Sequence, residues 1–144
     1  MNSAQFGTAG WYSISTSPLT MGSRVLRFRG DLDAWQAAAV REAFRGVPSG
    51  QRVIVDLEDV AFIDSAGLGA LIGGIRRVRE GHGDVALFHP QRSLAKLLRA
   101  TGVDRLAPVF PTEDEAVAWV GGRAATGDTP LPREPVGPAM LGWR

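Results

Sequence analysis

The sequence predicts an α/β fold, a mainly parallel central sheet of four to five strands with about four helices packed on it. Two short apolar runs, Val53-Ile54-Val55-Asp56-Leu57 and Val85-Ala86-Leu87-Phe88, are rich in strand formers and too short for typical helices, which reads as strands buried on both faces. Between and after them lie stretches whose apolar residues recur at helical spacing. Strand and helix therefore alternate, and that order implies right-handed crossovers and parallel pairing.

Composition bounds the function. With 144 residues, 44% hydrophobic and no cysteine, the chain is expected to form one domain with a modest core, a size that suits an interaction module as well as a small enzyme. Sixteen basic and 15 acidic residues leave a formal charge of +1, which removes any strong electrostatic case for nucleic acid or a membrane surface as partner. No apolar run approaches the roughly 20 residues of a membrane span, and Met1 to Gly10 lacks the basic-then-apolar order of a secretory signal. The expectation is a soluble, cytoplasmic protein, and the absence of cysteine fits that compartment.

Residues 1–10 read as a loose lead-in, 11–121 as the domain, and 122–144 as a disordered tail. Trp11 to Ser15 alternates as a strand does, Pro18 and Gly22 suggest a turn, and Arg24 to Arg29 forms a second strand with one buried face, so the two make a hairpin. Asp33 is the expected N-cap of a helix from Ala34 to about Arg45, with Trp35, Ala39 and Ala43 on one buried stripe beside Val40, Phe44 and Val47. Pro48-Ser49-Gly50 stops it. After the Val53 strand, Leu68, Leu71, Ile72, Ile75 and Val78 give the next helix, in which Gly73 and Gly74 call for close packing to offset their cost. Leu94, Leu97 and Leu98 mark a third helix. Leu106 to Phe110 suggests a short edge strand interrupted by Pro108, and Thr112 with Glu115 has capping-box spacing for a last helix carrying Val117, Trp119 and Val120. From Gly121 onward four prolines and five glycines break any period, although Met140, Leu141 and Trp143 are apolar enough to dock.

The stretch Asp64-Ser65-Ala66-Gly67-Leu68-Gly69 stands where a buried strand gives way to a helix. Ser65 is expected to sit at the helix start, where its hydroxyl either caps a backbone N–H or is available for chemistry. Gly67 and Gly69 serve turn geometry or let another chain approach. Asp31 and Asp33 follow a strand at the same sheet edge; Asp33 reads as a cap and Asp31 as a partner contact. Asp56, inside an apolar strand, is expected to bond nearby backbone.

Five segments, in order, resemble the STAS domain of bacterial anti-sigma factor antagonists. They are Gly30-Asp31-Leu32-Asp33, Val55-Asp56-Leu57, Phe62-Ile63-Asp64-Ser65-Ala66-Gly67-Leu68-Gly69-Ala70-Leu71, Thr101-Gly102-Val103-Asp104 and Phe110-Pro111-Thr112-Glu113, and together they span roughly residues 11 to 120. The resemblance implies a partner switch. The unphosphorylated chain binds a serine kinase that is also an anti-sigma factor and so frees the sigma factor; the kinase phosphorylates Ser65, and a serine phosphatase reverses it. Ala66 stands where many relatives carry a second hydroxyl residue, which leaves Ser65 as the acceptor in this turn, and Asp31 stands where many have glutamate. The implied partner-binding residues are Asp31, Asp33, Asp64, Ser65, Ala66, Gly67 and Leu68, on a monomer or weak dimer without cofactor or metal.

Catalysis is not expected. A hydrolase would need a base for Ser65, only His82 and His89 are present, and Ile63 occupies the first-glycine position of the nucleophile elbow. Two histidines without cysteine make no zinc site, and Gly67-Leu68-Gly69 lacks the third glycine of the dinucleotide fingerprint. The Arg76-Arg77-x-Arg79 cluster reads as a solvated helix face, with partner contact as its alternative. The competing function is a STAS scaffold or accessory subunit of a transport or signalling complex, from which a phosphorylatable Ser65 in a stand-alone domain separates the switch.

Overall fold

A computed structural model describes residues 4–6, 13–18, 22–88 and 90–126. The central apolar runs pair as their sequence demands. β3 (Ser23–Arg29), β4 (Arg52–Asp59), β5 (Asp84–Phe88) and β6 (Val109–Phe110) form four adjacent parallel strands. On the other side of β3 the sheet continues antiparallel through β2 (Ser13–Pro18) and β1 (Ala4–Phe6), giving six strands in chain order. The β2–β3 hairpin matches expectation, while Trp11 and Tyr12 lie outside the described residues.

Ala4–Phe6, inside the stretch expected as a lead-in, forms β1 and adds an antiparallel edge strand to the mainly parallel sheet. Ala-Gln-Phe has no alternation worth the name; it is a strand because the edge of β2 offers it backbone partners.

Residues Val53 to Leu57 are all buried, as a strand covered on both faces requires. One face meets α1 (Ala37–Arg45), α2 (Ser65–Glu80) and α3 (Arg92–Ala100) in a core that includes Val53, Val55 and Leu57 from β4, Val40 and Phe44 from α1, Leu71 and Ile75 from α2, and Leu94 and Leu98 from α3. The other face is covered by α5 (Glu113–Thr126), where Ile54 and Phe88 pack with Ala116 and Val120. Asp56 also belongs to that side: Arg27 Nη1 lies 2.6 Å from its Oδ2, and Arg27 Nη2 reaches Glu113 of α5 at 3.5 Å. Its Oδ1 accepts the Glu58 N–H at 2.9 Å, the local backbone bond the sequence suggested.

α1 begins at Ala37, three residues later than expected, and Trp35 is 85% exposed instead of buried. Asp33 Oδ1 accepts the Trp35 N–H at 3.0 Å and so folds residues 33–36 into a turn ahead of the helix. Asp33 is therefore a turn former and not the N-cap.

On α2 the fully buried positions are Gly67, Ala70, Leu71, Gly74, Ile75 and Val78, with Leu68 and Ile72 only half-buried. The glycines sit in the buried stripe because α1 comes close: a Cβ on Gly74 would fall 2.1 Å from the Phe44 ring, whose edge packs on Phe28 at 6.1 Å. Gly73 faces open space and makes no such approach.

Leu106 closes a short helix, α4 (Val103–Leu106), so the expected strand from 106 shrinks to β6 after Pro108. A proline has no N–H for the ladder, and only its carbonyl joins, accepting from Leu87 N at 2.8 Å. The Thr112 hydroxyl accepts the Glu115 N–H at 3.3 Å, as the capping spacing foretold. α5 continues through Gly121 and Gly122 to Thr126, so the structured region outlasts the expected boundary at 121. Residues 127–144, with Met140, Leu141 and Trp143, lie outside the described residues.

Candidate functional site

Beyond the ends of β3 and β4 the two chains stay zipped, and that zipper builds the site. Gly30, at φ +92°, turns the chain, and its N–H donates to the Asp59 carbonyl at 3.0 Å. Leu32 then pairs in parallel with Ile63: its N–H reaches the Phe62 carbonyl at 2.9 Å, and its own carbonyl accepts from Asp64 N at 3.1 Å. Both side chains are buried and pin their segments to the core. Asp31 and Asp33, flanking Leu32, are thereby brought beside the segment that leads into α2, as the sequence reading required.

Asp64, not Ser65, caps the helix. Its backbone is extended (φ −103°, ψ −176°), and its Oδ1 accepts the Gly67 N–H at 2.9 Å. Its Oδ2 accepts from Ala34 N at 3.2 Å, so one carboxylate ties the first turn of α2 to the 31–34 segment. Of the two roles left open for Ser65, the cap therefore passes to its neighbour Asp64. Asp and Ser are comparable caps, and the residue with extended geometry takes the role. Ser65 becomes the first helical residue, exposed, with no hydrogen bond to its hydroxyl among the described residues. The N–H groups of Ser65 and Ala66 likewise have no acceptor there.

Gly67 is buried, and a Cβ on it would stand 1.9 Å from the Leu32 carbonyl oxygen. The missing side chain admits this chain's own backbone, which settles Gly67 as a packing residue. Gly69 is exposed over open space and Leu68 half-buried. Arg76, Arg77 and Arg79 are far from this end; Arg77 lies about 18 Å along the helix from Ser65. Arg79 is occupied with the Leu106 carbonyl at 2.7 Å, whereas Arg76 and Arg77 are exposed. His82 is in the turn after α2, at the opposite end of the helix, and His89 lies outside the described residues, so neither described geometry nor spacing brings a base to Ser65.

Two contributors escaped the sequence reading. Gln36 is fully buried, and its amide meets the Asp31 carbonyl oxygen at 3.1 Å and Asp33 Oδ1, holding the 31–33 segment in place. Phe62, 52% exposed, stands three residues before Ser65. A glutamine directly preceding an alanine-rich helix was the available signal for the first; nothing in the pattern distinguished Phe62 from a core residue.

A match to the STAS domain covers residues 16–116, well over half of the chain. The chain belongs to the STAS domain family. Among its relatives, the anti-sigma-B factor antagonist of Listeria monocytogenes is 31% identical over 88 residues, covering 60% of this chain and 77% of the relative. The anti-sigma factor antagonist SpoIIAA in its unphosphorylated form superposes with a TM-score of 0.62 at 25% identity, covering 76% of this chain and 96% of that one, and the Bacillus protein has also been solved phosphorylated. A sulfate transporter family protein of Wolinella succinogenes shares the STAS fold at a TM-score of 0.68 and 18% identity, covering 76% and 93% of the two chains. Among the described residues no helix is long and apolar enough to cross a membrane.

Proposed function

We propose that this chain is an anti-sigma factor antagonist that works by partner switching, with Ser65 as the phosphate acceptor. The observation that carries the reading is the division of labour at the start of α2. Asp64 does the capping, which leaves the Ser65 hydroxyl exposed and without a structural bond. In its unphosphorylated form the chain binds a cytoplasmic serine kinase that also holds a sigma factor, and the sigma factor is released. The kinase passes the γ-phosphoryl group of ATP to Ser65 Oγ; ADP leaves, and the hydroxyl proton goes to the kinase's base. A serine phosphatase restores the hydroxyl by hydrolysis. The chain itself supplies the acceptor and no catalytic group.

Phosphorylation adds roughly −1.5 to −2 charge at pH 7. The helix dipole and the two free N–H groups of the first turn accommodate it, while the neighbouring Asp64 carboxylate opposes it, so the domain keeps its fold. The partner does not tolerate it. An acceptor hydroxyl must lie against the nucleotide phosphates, and a phosphoserine there faces like charge in a desolvated contact.

A scaffold role in a transport complex has only the shared fold in its favour. Incubating the purified chain with candidate serine-kinase anti-sigma factors and ATP should add the mass of one phosphoryl group, and Ser65→Ala should abolish the addition while retaining kinase binding. Ser65→Asp should lose binding; equal binding by the two variants would sink the charge mechanism.

A further inference from the structure

The two large hydrophobic side chains left exposed among the described residues, Trp35 at 85% and Phe62 at 52%, both fall on the segments that flank Ser65. Trp35 follows Ala34, whose N–H is bound by the Asp64 carboxylate, and Phe62 lends its carbonyl to Leu32. Neither placement is accidental to the fold. The turn carrying Trp35 is fixed from below by buried Gln36 and from its own N–H by Asp33, so an indole is held outward by a hydrogen-bonded frame. Phe62 forms one wall of an open groove of about 290 Å³, with Ala61, Ile63, Ser93, Leu94 and Leu97 around it. Holding large apolar side chains out of a core in a fixed geometry lowers the entropy cost of burying them in a partner.

The surroundings are acidic. The segments 30–36 and 58–65, which carry the two rings and Ser65, contain Asp31, Asp33, Glu58, Asp59 and Asp64 and no lysine, arginine or histidine, while Arg92 and Lys96 lie on the helix behind the Phe62 groove, in a chain whose total charge is +1. The Asp31 carboxylate has no hydrogen bond or ion pair among the described residues. An exposed aromatic pair beside the Asp31 carboxylate is complementary to an apolar cleft with a basic rim.

Resting on the kinase reading above, we infer that Trp35 and Phe62 are the anchors by which this chain docks on its serine-kinase partner, on the segments that adjoin the acceptor Ser65. The docking surface is the edge formed by residues 31–36 and 61–65, and the partner presents apolar pockets for the two rings and basic side chains toward Asp31. Two anchors on the adjoining segments would position the Ser65 hydroxyl at the nucleotide without a contact to the hydroxyl itself. Binding energy of this kind is concentrated in a few aromatic side chains, with tryptophan prominent among them.

The test is calorimetric titration of each candidate serine-kinase anti-sigma factor, loaded with ADP, with wild-type chain and with Trp35→Ala, Phe62→Ala and Asp31→Lys, together with rates of phosphate transfer from ATP. Trp35→Ala is expected to weaken binding roughly 10- to 100-fold and to slow transfer at limiting substrate in proportion. Its melting temperature should stay at the wild-type value, because an 85% exposed ring supports no core. Phe62→Ala and Asp31→Lys should each weaken binding, the latter most at low salt. If the wild type binds and is phosphorylated at Ser65 while Trp35→Ala and Phe62→Ala bind within twofold of it, the anchors are refuted and the switch stands. If no candidate kinase binds the wild type, anchors and switch fall together. If instead Trp35→Ala dissolves a dimer seen by sedimentation and leaves kinase affinity alone, the face is a contact between copies of this chain, and the inference is wrong.

Discussion

Asp64 has two carboxylate oxygens, and both are engaged by backbone N–H groups, one at Gly67 and one at Ala34. Removing them should therefore cost both a helix cap and a tie between segments. Asp64→Ala is expected to destabilise the fold by about 1–2 kcal/mol, read as a drop of several degrees in the thermal midpoint by circular dichroism. Ser65→Ala should change the same midpoint by no more than about 0.5 kcal/mol equivalent, since the hydroxyl supports nothing in the described structure. A loss from Ser65→Ala as large as that from Asp64→Ala would mean the hydroxyl caps after all. At this scale the sequence left the helix cap open between two adjacent residues. Two good capping side chains stand next to each other, and only the backbone dihedrals decide between them. The indole of Trp35 was misplaced for a related reason. The helical period runs smoothly back through it, but Asp33 diverts the chain into a turn before the helix can start.

At the scale of elements, α2 carries four glycines in sixteen residues, at 67, 69, 73 and 74, and they divide into two kinds. Gly67 and Gly74 are contact points, one against the Leu32 carbonyl and the other against the Phe44 ring. Gly69 and Gly73 face open space. Alanine at 69 or 73 should gain up to about 1 kcal/mol from helix propensity alone. Alanine at 74 should lose about 1–3 kcal/mol through overpacking of a buried ring. Alanine at 67 should be worse, because a backbone carbonyl and not a side chain must move. Urea titrations of the four single variants check the signs; a stabilised Gly67→Ala would refute the close approach. The strands most legible beforehand were those whose every residue is buried, such as Val53 to Leu57, since continuous burial writes itself into composition. β1 was illegible because its three residues owe their conformation to a neighbour's edge, and the length of β6 because helix α4 intrudes just before Pro108. The helical course of Gly121 to Thr126 was hidden by two glycines, which the helix begun at Glu113 carries through to Thr126.

Across the whole molecule, charge is partitioned. The segments that carry Trp35, Phe62 and Ser65 hold five acids and no basic residue against a chain total of +1, so a balanced composition conceals a locally acidic edge. Composition alone removed nucleic acid as an obvious partner but could not reveal this, because segments 30–39 and 58–75 are distant in sequence and are brought together by the fold, through the pairing of Leu32 with Ile63 and the bond from Ala34 to Asp64. The partition also separates two effects of phosphorylation that a net-charge argument would merge. At long range a phosphoryl group makes the acidic end more attractive to a basic partner. In the proposed kinase contact, the same group would be forced against nucleotide phosphates in a site stripped of water. In the proposed switch, phosphorylation would thus act on dissociation and the acidic rim on encounter. Stopped-flow association of the unphosphorylated chain with its kinase should accordingly slow by roughly an order of magnitude between 50 and 500 mM salt, as screening shortens to a few ångströms, while dissociation changes little. Asp31→Asn should flatten that salt dependence without altering the dissociation rate severalfold. An association rate indifferent to salt would show that the acidic end does not steer the encounter, and would leave the apolar anchors to account for recognition unaided.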